Sequence, residues 1–283
     1  MKKAQLLVNK YKNIKTLPHV ALRLSQLISD EGSAIREFED VIRLDPTLVL
    51  RLLRLVNSSY FGLYQKVKSI SKAVIFVGTK NLRNMILIEA VKDIFKDSGN
   101  GEVFSRTKLW LHCAAVSVCA RMISERIFEQ QGEDAFLAGT LHDIGLIVED
   151  QVAGELLMQV CREYNPDFKS IVDYENEIIG SNHCMVGYLL ARDWKLPVPI
   201  QEGIKEHHNV LKPVLPSSVT GVVQIADYIV SKINYPAIPK MEERLSESLA
   251  AHMKEMAGEY QILIKDLPDE MERARELYES EPE

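Results

Sequence analysis

Residues 135–149, AFLAGTLHDIGLIVE, carry the reading of the whole chain. Apolar side chains recur there at helical spacing until His142 and Asp143 interrupt them, with Gly145 two positions on. An ionised carboxylate set among Phe136, Leu137, Leu141, Ile144 and Ile147 is costly to desolvate unless a cation or strong hydrogen bonds compensate it. A metal ion is the simplest compensation. Imidazole nitrogen beside a hard carboxylate oxygen suits zinc, iron or manganese better than calcium. A lone His-Asp pair is common in solvated turns, so its weight depends on what the other helices supply.

Helical periodicity dominates on both sides of this stretch, and the expected fold class is all-α. Helices are expected over residues 4–13 and 20–28, after Ser33, and from Asp45-Pro46, where Leu48, Leu52, Leu55 and Val56 form a buried stripe. Arg51 and Arg54 fall on its solvated side, and Asn57, Ser58 and Ser59 end it. Residues 74–77 are the best strand-like run, although Ser69 and Ser71 open a helix there that Gly78 breaks. Further helices are expected over 79–95, 106–128, 156–164, 171–179, 182–194, from Pro197, and over 217–232. A last one is placed near 242–260, with His252 at the surface and an acidic tail whose end, ELYESEPE, frays. The segment KDSGNGE at 96–102 is the best linker. It divides a helical N-terminal part, 1–97, from a bundle over 103–235, followed by a C-terminal helical extension, 236–283.

Composition narrows the classes. With 34 Lys and Arg against 40 Asp and Glu, the net charge of −6 gives no strong nucleic-acid signal. No apolar run approaches the ~20 residues of a membrane helix, and the start MKKAQLLVNKYKNIK lacks a signal-peptide pattern, so a cytoplasmic location is expected. Cys113, Cys119, Cys161 and Cys184 show no Cys-x-x-Cys spacing and read as small core residues.

Four other helices each set a histidine or an acid among apolar neighbours. His112 lies at helical spacing with Val116, Cys119 and Ile123; His183 lines up with Gly187 and Leu190; His207 shares a face with Ile200 and Ile204, and His208 adjoins it. Asp227 stands where an apolar residue is expected. Together with His142 and Asp143 these include five of the seven histidines in the chain, and facing helices of a bundle are a natural way to bring such ligands together. One cation can take His112, His142, Asp143 and Asp227. A second can share Asp143 with His183 and His207, leaving His208 for another ligand or a phosphate oxygen.

The same residues resemble the HD superfamily, and the chain as a whole resembles its HDOD branch, the HD-related output domains of bacterial signalling. The likeness rests on Leu17-Pro18, Asp45-Pro46, RLLRLVNSSYFG at 51–62, AVIFVG at 73–78, LHDIG at 141–145, GYLLARDW at 187–194, Leu196-Pro197 and EHH at 206–208. It implies a helical N-terminal part packed on an HD-like bundle and a role in signal transduction, with signalling proteins as partners. Two departures separate the chain from the related HD-GYP phosphodiesterases. Leu146 stands where those enzymes carry a lysine, and NVLKP at 209–213 replaces their acid and Gly-Tyr-Pro signature. The leading expectation is therefore a regulatory module that binds one or two divalent transition-metal ions (Fe, Mn, Ni or Zn) and a phosphorylated small molecule or nucleotide. The alternatives are a metal-dependent phosphohydrolase, with Asp143 and a metal-bound water as its catalytic group, and a metal-free interaction scaffold.

Overall fold

The structure, a computed structural model, describes residues 1–12, 23, 27, 35–44, 46–57, 66–92, 94–95 and 103–278. The expected second helix (Arg23 and Leu27 excepted), the caps at Ser33, Asp45, Ser58 and Ser59, and the linker 96–102 lie outside them. Among the described residues all regular structure is helical. Fourteen helices run α1 Lys2–Lys12, α2 Ile35–Arg43, α3 Pro46–Val56, α4 Ile70–Val77, α5 Thr79–Lys92, α6 Arg106–Arg126, α7 Glu133–Leu141, α8 Ile144–Glu163, α9 Ile171–Ile178, α10 His183–Asp193, α11 Val198–Glu206, α12 Val219–Lys232, α13 Glu247–Glu255 and α14 Ala257–Tyr278. No helix among them is long and apolar enough to cross a membrane.

Local chemistry sets many of the boundaries. The strand-like run 74–77 is the last turn of α4: Ser69 caps the helix by accepting from the Lys72 amide, and Gly78 ends it at a φ of 77°. Ile70, Ala73, Val74 and Val77 are buried while Ile75 and Phe76 face outward, a helical period inside an apolar run. Asn57 ends α3 as expected, and it also clamps the returning chain, with Nδ2 donating to the carbonyls of Leu53 and Val67 and Oδ1 accepting from the Val67 amide. The helix expected at 156–164 is the second half of α8, which breaks at Ala153 (φ −140°, ψ 33°).

Helices α2, α3 and α4 pack together, and α5 carries them onto α7 and α14. Arg83, 1% exposed on α5, donates to Asp134 on α7 at 2.6 Å; Lys80 reaches the other carboxylate oxygen at 3.2 Å, and Asn84 donates to the Glu133 carbonyl. Helix α1 crosses the molecule to pack on α8 and α10, tied by a Lys12–Asp193 ion pair. Around the centre, α6, α7 and α12 pack against one another, α8 lies on α10, and α11 touches α7, α10 and α12.

The C-terminal residues depart from expectation. Instead of one helix over 242–260, α13 is short and α14 runs to Tyr278 against α6; of the end expected to fray, 276–283, residues 279–283 lie outside the described residues. Tyr260, Leu263, Leu267 and Ala274 are buried along one stripe, while Asp266 and Glu270 pair with Arg126. The high acid content had hidden an amphipathic face. His252 is not a surface residue either: its ring stacks on Phe128 with centroids 5.2 Å apart, and its Nε2 is buried without a hydrogen-bond partner.

Candidate metal centre

Four helices and one helix junction deliver the seven candidate ligands to one place. His112 comes from the middle of α6, His183 is the first residue of α10, His207 and His208 follow the end of α11, and Asp227 comes from α12. His142 and Asp143 form the junction between α7 and α8. Asp143 occupies the N-cap position of α8, where an aspartate ordinarily accepts a backbone amide, yet its side chain makes no capping bond. It points into the cluster instead. Gly145 is required for this approach: a Cβ there would stand 2.0 Å from the His183 carbonyl oxygen, so only glycine lets the start of α8 pass under the start of α10.

Side-chain distances divide the cluster into two overlapping sets. His112 Nε2 lies 3.2 Å from His142 Nε2, 3.6 Å from Asp143 Oδ2 and 3.3 Å from Asp227 Oδ1, and His142 Nε2 is 3.3 Å from Asp143 Oδ2. On the other side, Asp143 Oδ1 is 3.4 Å from both His183 Nε2 and His207 Nε2, which are 3.2 Å apart. Donors held about 2.1 Å from a common ion stand about 3.0–3.4 Å from one another in octahedral or tetrahedral arrangement. All the observed spacings but the 3.6 Å between His112 and Asp143 fall in that range.

The outer nitrogens explain why the inner ones converge. Nδ1 of His112 bonds the Tyr235 carbonyl at 2.6 Å, Nδ1 of His142 the Gly139 carbonyl at 2.7 Å, and Nδ1 of His207 the Ile204 carbonyl at 2.7 Å. A carbonyl only accepts, so these bonds place the proton on Nδ1 and turn the Nε2 lone pair inward. His183 Nδ1 faces the Glu175 carboxylate at 2.8 Å, and the same carboxylate accepts the His183 amide. Lone pairs facing each other at 3.2 Å across buried carboxylates repel unless something electron-poor lies between them. Asp143, 1% exposed, has no hydrogen-bond partner on either oxygen. The donor set therefore fits a divalent metal ion.

Charge in the cluster shows the same need for a positive complement, which protons on the imidazoles supply where no ion does. Burial pushes the Asp143 carboxyl up, but the imidazoles around it, His142 first, hold it well below the usual carboxylate range. Asp227 is likewise raised by burial and lowered more by His112, ending at about 2. His142 reaches about 9 although burial opposes its charge, because Asp143 and Asp227 demand a positive neighbour.

His208 sits at the rim. Its Nδ1 is 2.9 Å from Glu243, its Nε2 has no hydrogen-bond partner, and its ring centroid is 4.2 Å from that of His207. Four nearby residues were not singled out from sequence. Glu175 lies in an acidic helix with Asp173 and Glu177 and reads there as solvated. Glu243 falls in the helix expected near 242–260 but lies in the loop before α13, and Cys184 reads as core. Glu149 closes the opening stretch itself, yet both its oxygens are buried and unpartnered, and burial, reinforced by Glu175, raises its carboxyl well above the ordinary range.

Fold and centre define a helical bundle of the HD type, in which histidines and aspartates from separate helices converge on one point. The HDOD domain model matches residues 14–210, and the chain belongs to the HDOD family. A protein of Treponema pallidum (strain Nichols) is 25% identical over 248 residues, covering 84% of this chain and 47% of its own length. The chain thus spans about half of that relative. Among solved structures, an HDOD domain protein of unknown function from Geobacter sulfurreducens superposes with a TM-score of 0.67 at 24% identity, covering 93% of this chain and 97% of its own. A candidate signal transduction protein from Marinobacter aquaeolei VT8 gives 0.73 at 18% identity, covering 94% and 60%. A candidate phosphohydrolase from Shewanella amazonensis SB2B gives 0.71 at 23% identity, covering 96% and 97%. At these identities the three establish a shared fold.

Proposed function

We propose that this HDOD protein is a regulatory module whose centre holds one or two divalent transition-metal ions (Fe, Mn, Ni or Zn) and binds a phosphorylated ligand without rapidly turning it over. Asp143 carries the reading: a carboxylate with both oxygens unpartnered in the core, between the Nε2 atoms of four histidines. His112, His142, Asp143 and Asp227 would hold one ion, and Asp143, His183 and His207 the other. A bound ion supplies Lewis acidity toward a phosphoryl oxygen. The protein's own contribution is to fix the imidazole tautomers through their Nδ1 partners and to exclude water. His208, whose buried Nε2 has no hydrogen-bond partner, would donate to a phosphate oxygen once the rim opens.

Closure of the centre favours binding over turnover. The six inner residues are each at most 2% exposed, so a substrate reaches the ions only if the His208–Glu243 side opens. The position after Gly145 is Leu146, fully buried, and offers no proton donor. A signal read through that opening would pass to partner proteins.

Elemental analysis of protein purified without chelator, beside Asp143→Ala, tests the reading. One to two ions per chain are expected, falling below about a tenth of an ion in the variant, because a structural site forms only with its ligands deprotonated and in place. A metal-free native protein overturns it in favour of a scaffold. Steady hydrolysis of nucleotides, cyclic dinucleotides or simple phosphoesters with iron, manganese or nickel supplied overturns the preference for binding and makes the protein a phosphohydrolase.

A further inference from the structure

Cys184 follows His183 in the first turn of α10 and is 6% exposed. Its Sγ lies 3.5 Å from His183 Nε2 and 3.9 Å from His207 Nε2. Those are the two nitrogens that Asp143 Oδ1, itself without a hydrogen-bond partner, approaches at 3.4 Å. Cys113 and Cys119 are also buried, but among the described residues neither joins a group of three or more possible metal donors; Cys184 joins His183, His207 and His208 in one, all within 4.8 Å. A tetrahedral ion with nitrogen and oxygen at about 2.1 Å and sulfur at about 2.3 Å sets its nitrogen–sulfur edges near 3.6 Å and its nitrogen–oxygen edges near 3.4 Å. The observed nitrogen–sulfur edges bracket the first value, and both nitrogen–oxygen edges equal the second.

We propose that Cys184 is a thiolate ligand of the second metal position, completing Asp143, His183 and His207 as a four-donor site. This rests on the metal reading of the centre given above. On binding, the Sγ–H bond breaks, the proton passes to water, and the sulfur lone pair goes to the ion; no electron changes hands. The two positions then differ in kind. The first has only nitrogen and oxygen donors and accepts manganese, iron or zinc, whereas the second carries a soft sulfur that selects zinc or ferrous iron against manganese. A manganese-loaded protein fills one position, and zinc fills both.

Cobalt(II) titration reads this directly. With the native protein, a sulfur-to-cobalt charge-transfer band in the near ultraviolet is expected as the second equivalent binds. Cys184→Ser should still take the first equivalent but lack the band and bind the second more weakly than the 10–100-fold loss typical of a missing outer partner. X-ray absorption on the native zinc protein, which needs no variant to fold, should show one sulfur at about 2.3 Å. Two bound ions with no sulfur signal, or a band that survives Cys184→Ser, overturn the thiolate and leave the metal reading standing. No bound ion at all overturns both.

Discussion

An aspartate stands at each end of helix α7, Asp134 half-buried in its first turn and Asp143 buried just past its last residue, and the two are treated in opposite ways. Asp134, in its first turn, meets two cations and finishes as an ordinary ion pair: Arg83 and Lys80 donate to its two oxygens, and Asn84 bonds the neighbouring carbonyl. About 13 Å further along, Asp143 meets four imidazole nitrogens at 3.3–3.6 Å and bonds none of them. Arg83, Asn84 and Asp134 at the α5–α7 seam all have complements within the protein. At the centre, acceptors face acceptors, and the complement has to come from outside. What marks Asp143 is the missing complement together with the converging nitrogens around it.

The hardest way to break the comparison is at Gly145. A methyl group there meets the His183 backbone at 2.0 Å, so Gly145→Ala must push α8 from α10 and part Asp143 from His183. Overpacking against backbone costs about 3 kcal/mol or more, seen as a lower urea midpoint, and the second ion is lost with it.

Asp134→Asn attacks the other end of α7 and leaves Arg83 buried without a counter-charge. Because Asp134 is 23% exposed, the expected cost is about 2–3 kcal/mol, below the range for a fully buried pair. Metal content should not change. Burial raises the Asp134 carboxyl, but Arg83 and Lys80 outweigh it and the folded value is lowered. Its contribution is therefore complete above the unfolded carboxylate range near pH 4 and disappears as pH falls through the lower folded value. Urea melts of native protein and variant should be separated equally at pH 6 and 8 and begin to converge only below about pH 4.

What could be read from sequence follows the same division. Six of the seven candidate ligands stood out because each put charge or a ring nitrogen where the helical period called for carbon, a local conflict that needs no knowledge of the fold, and His208 was noticed as the neighbour of His207. Glu175 made no such conflict. It sits in IVDYENEI among other acids, and only packing of α9 against α8 and α10 turns that one carboxylate inward. Cys184 fitted the apolar pattern too well to be noticed. Helix α14 was missed because its acids outnumber the stripe formed by Tyr260, Leu263, Leu267 and Ala274, and the docking of α1 on α8 and α10 is a long-range choice that no local period encodes.

Glu175→Gln offers a gentler break. It keeps the shape beside His183 but weakens the acceptor that orients it, so the second ion should bind about 10–100-fold more weakly, or about 1.4–2.8 kcal/mol, in a chelator competition. The first ion, held by His112, His142, Asp143 and Asp227, should bind as before. Equal loss at both positions would mean that the two sets act as one.

Glu149 gives the smallest effect and the sharpest sign. It has neither the cations of Asp134 nor the converging nitrogens of Asp143, and burial and Glu175 hold it neutral in the folded chain, well above its unfolded value. A raised acid contributes fully below the unfolded value near pH 4.3, and its contribution is lost as pH rises toward the folded value, because the unfolded chain can then ionise and the folded one cannot. Glu149→Gln removes that loss. In metal-stripped protein the variant should therefore melt higher than native at pH 7 and show no such gain at pH 4. Ions bound beside His183 add positive charge near Glu149, lower its folded value and shrink the gain at pH 7. If the gain at pH 7 is the same with and without metal, no cation sits on that side of the centre, and Asp143 would be balanced by the protonated imidazoles alone.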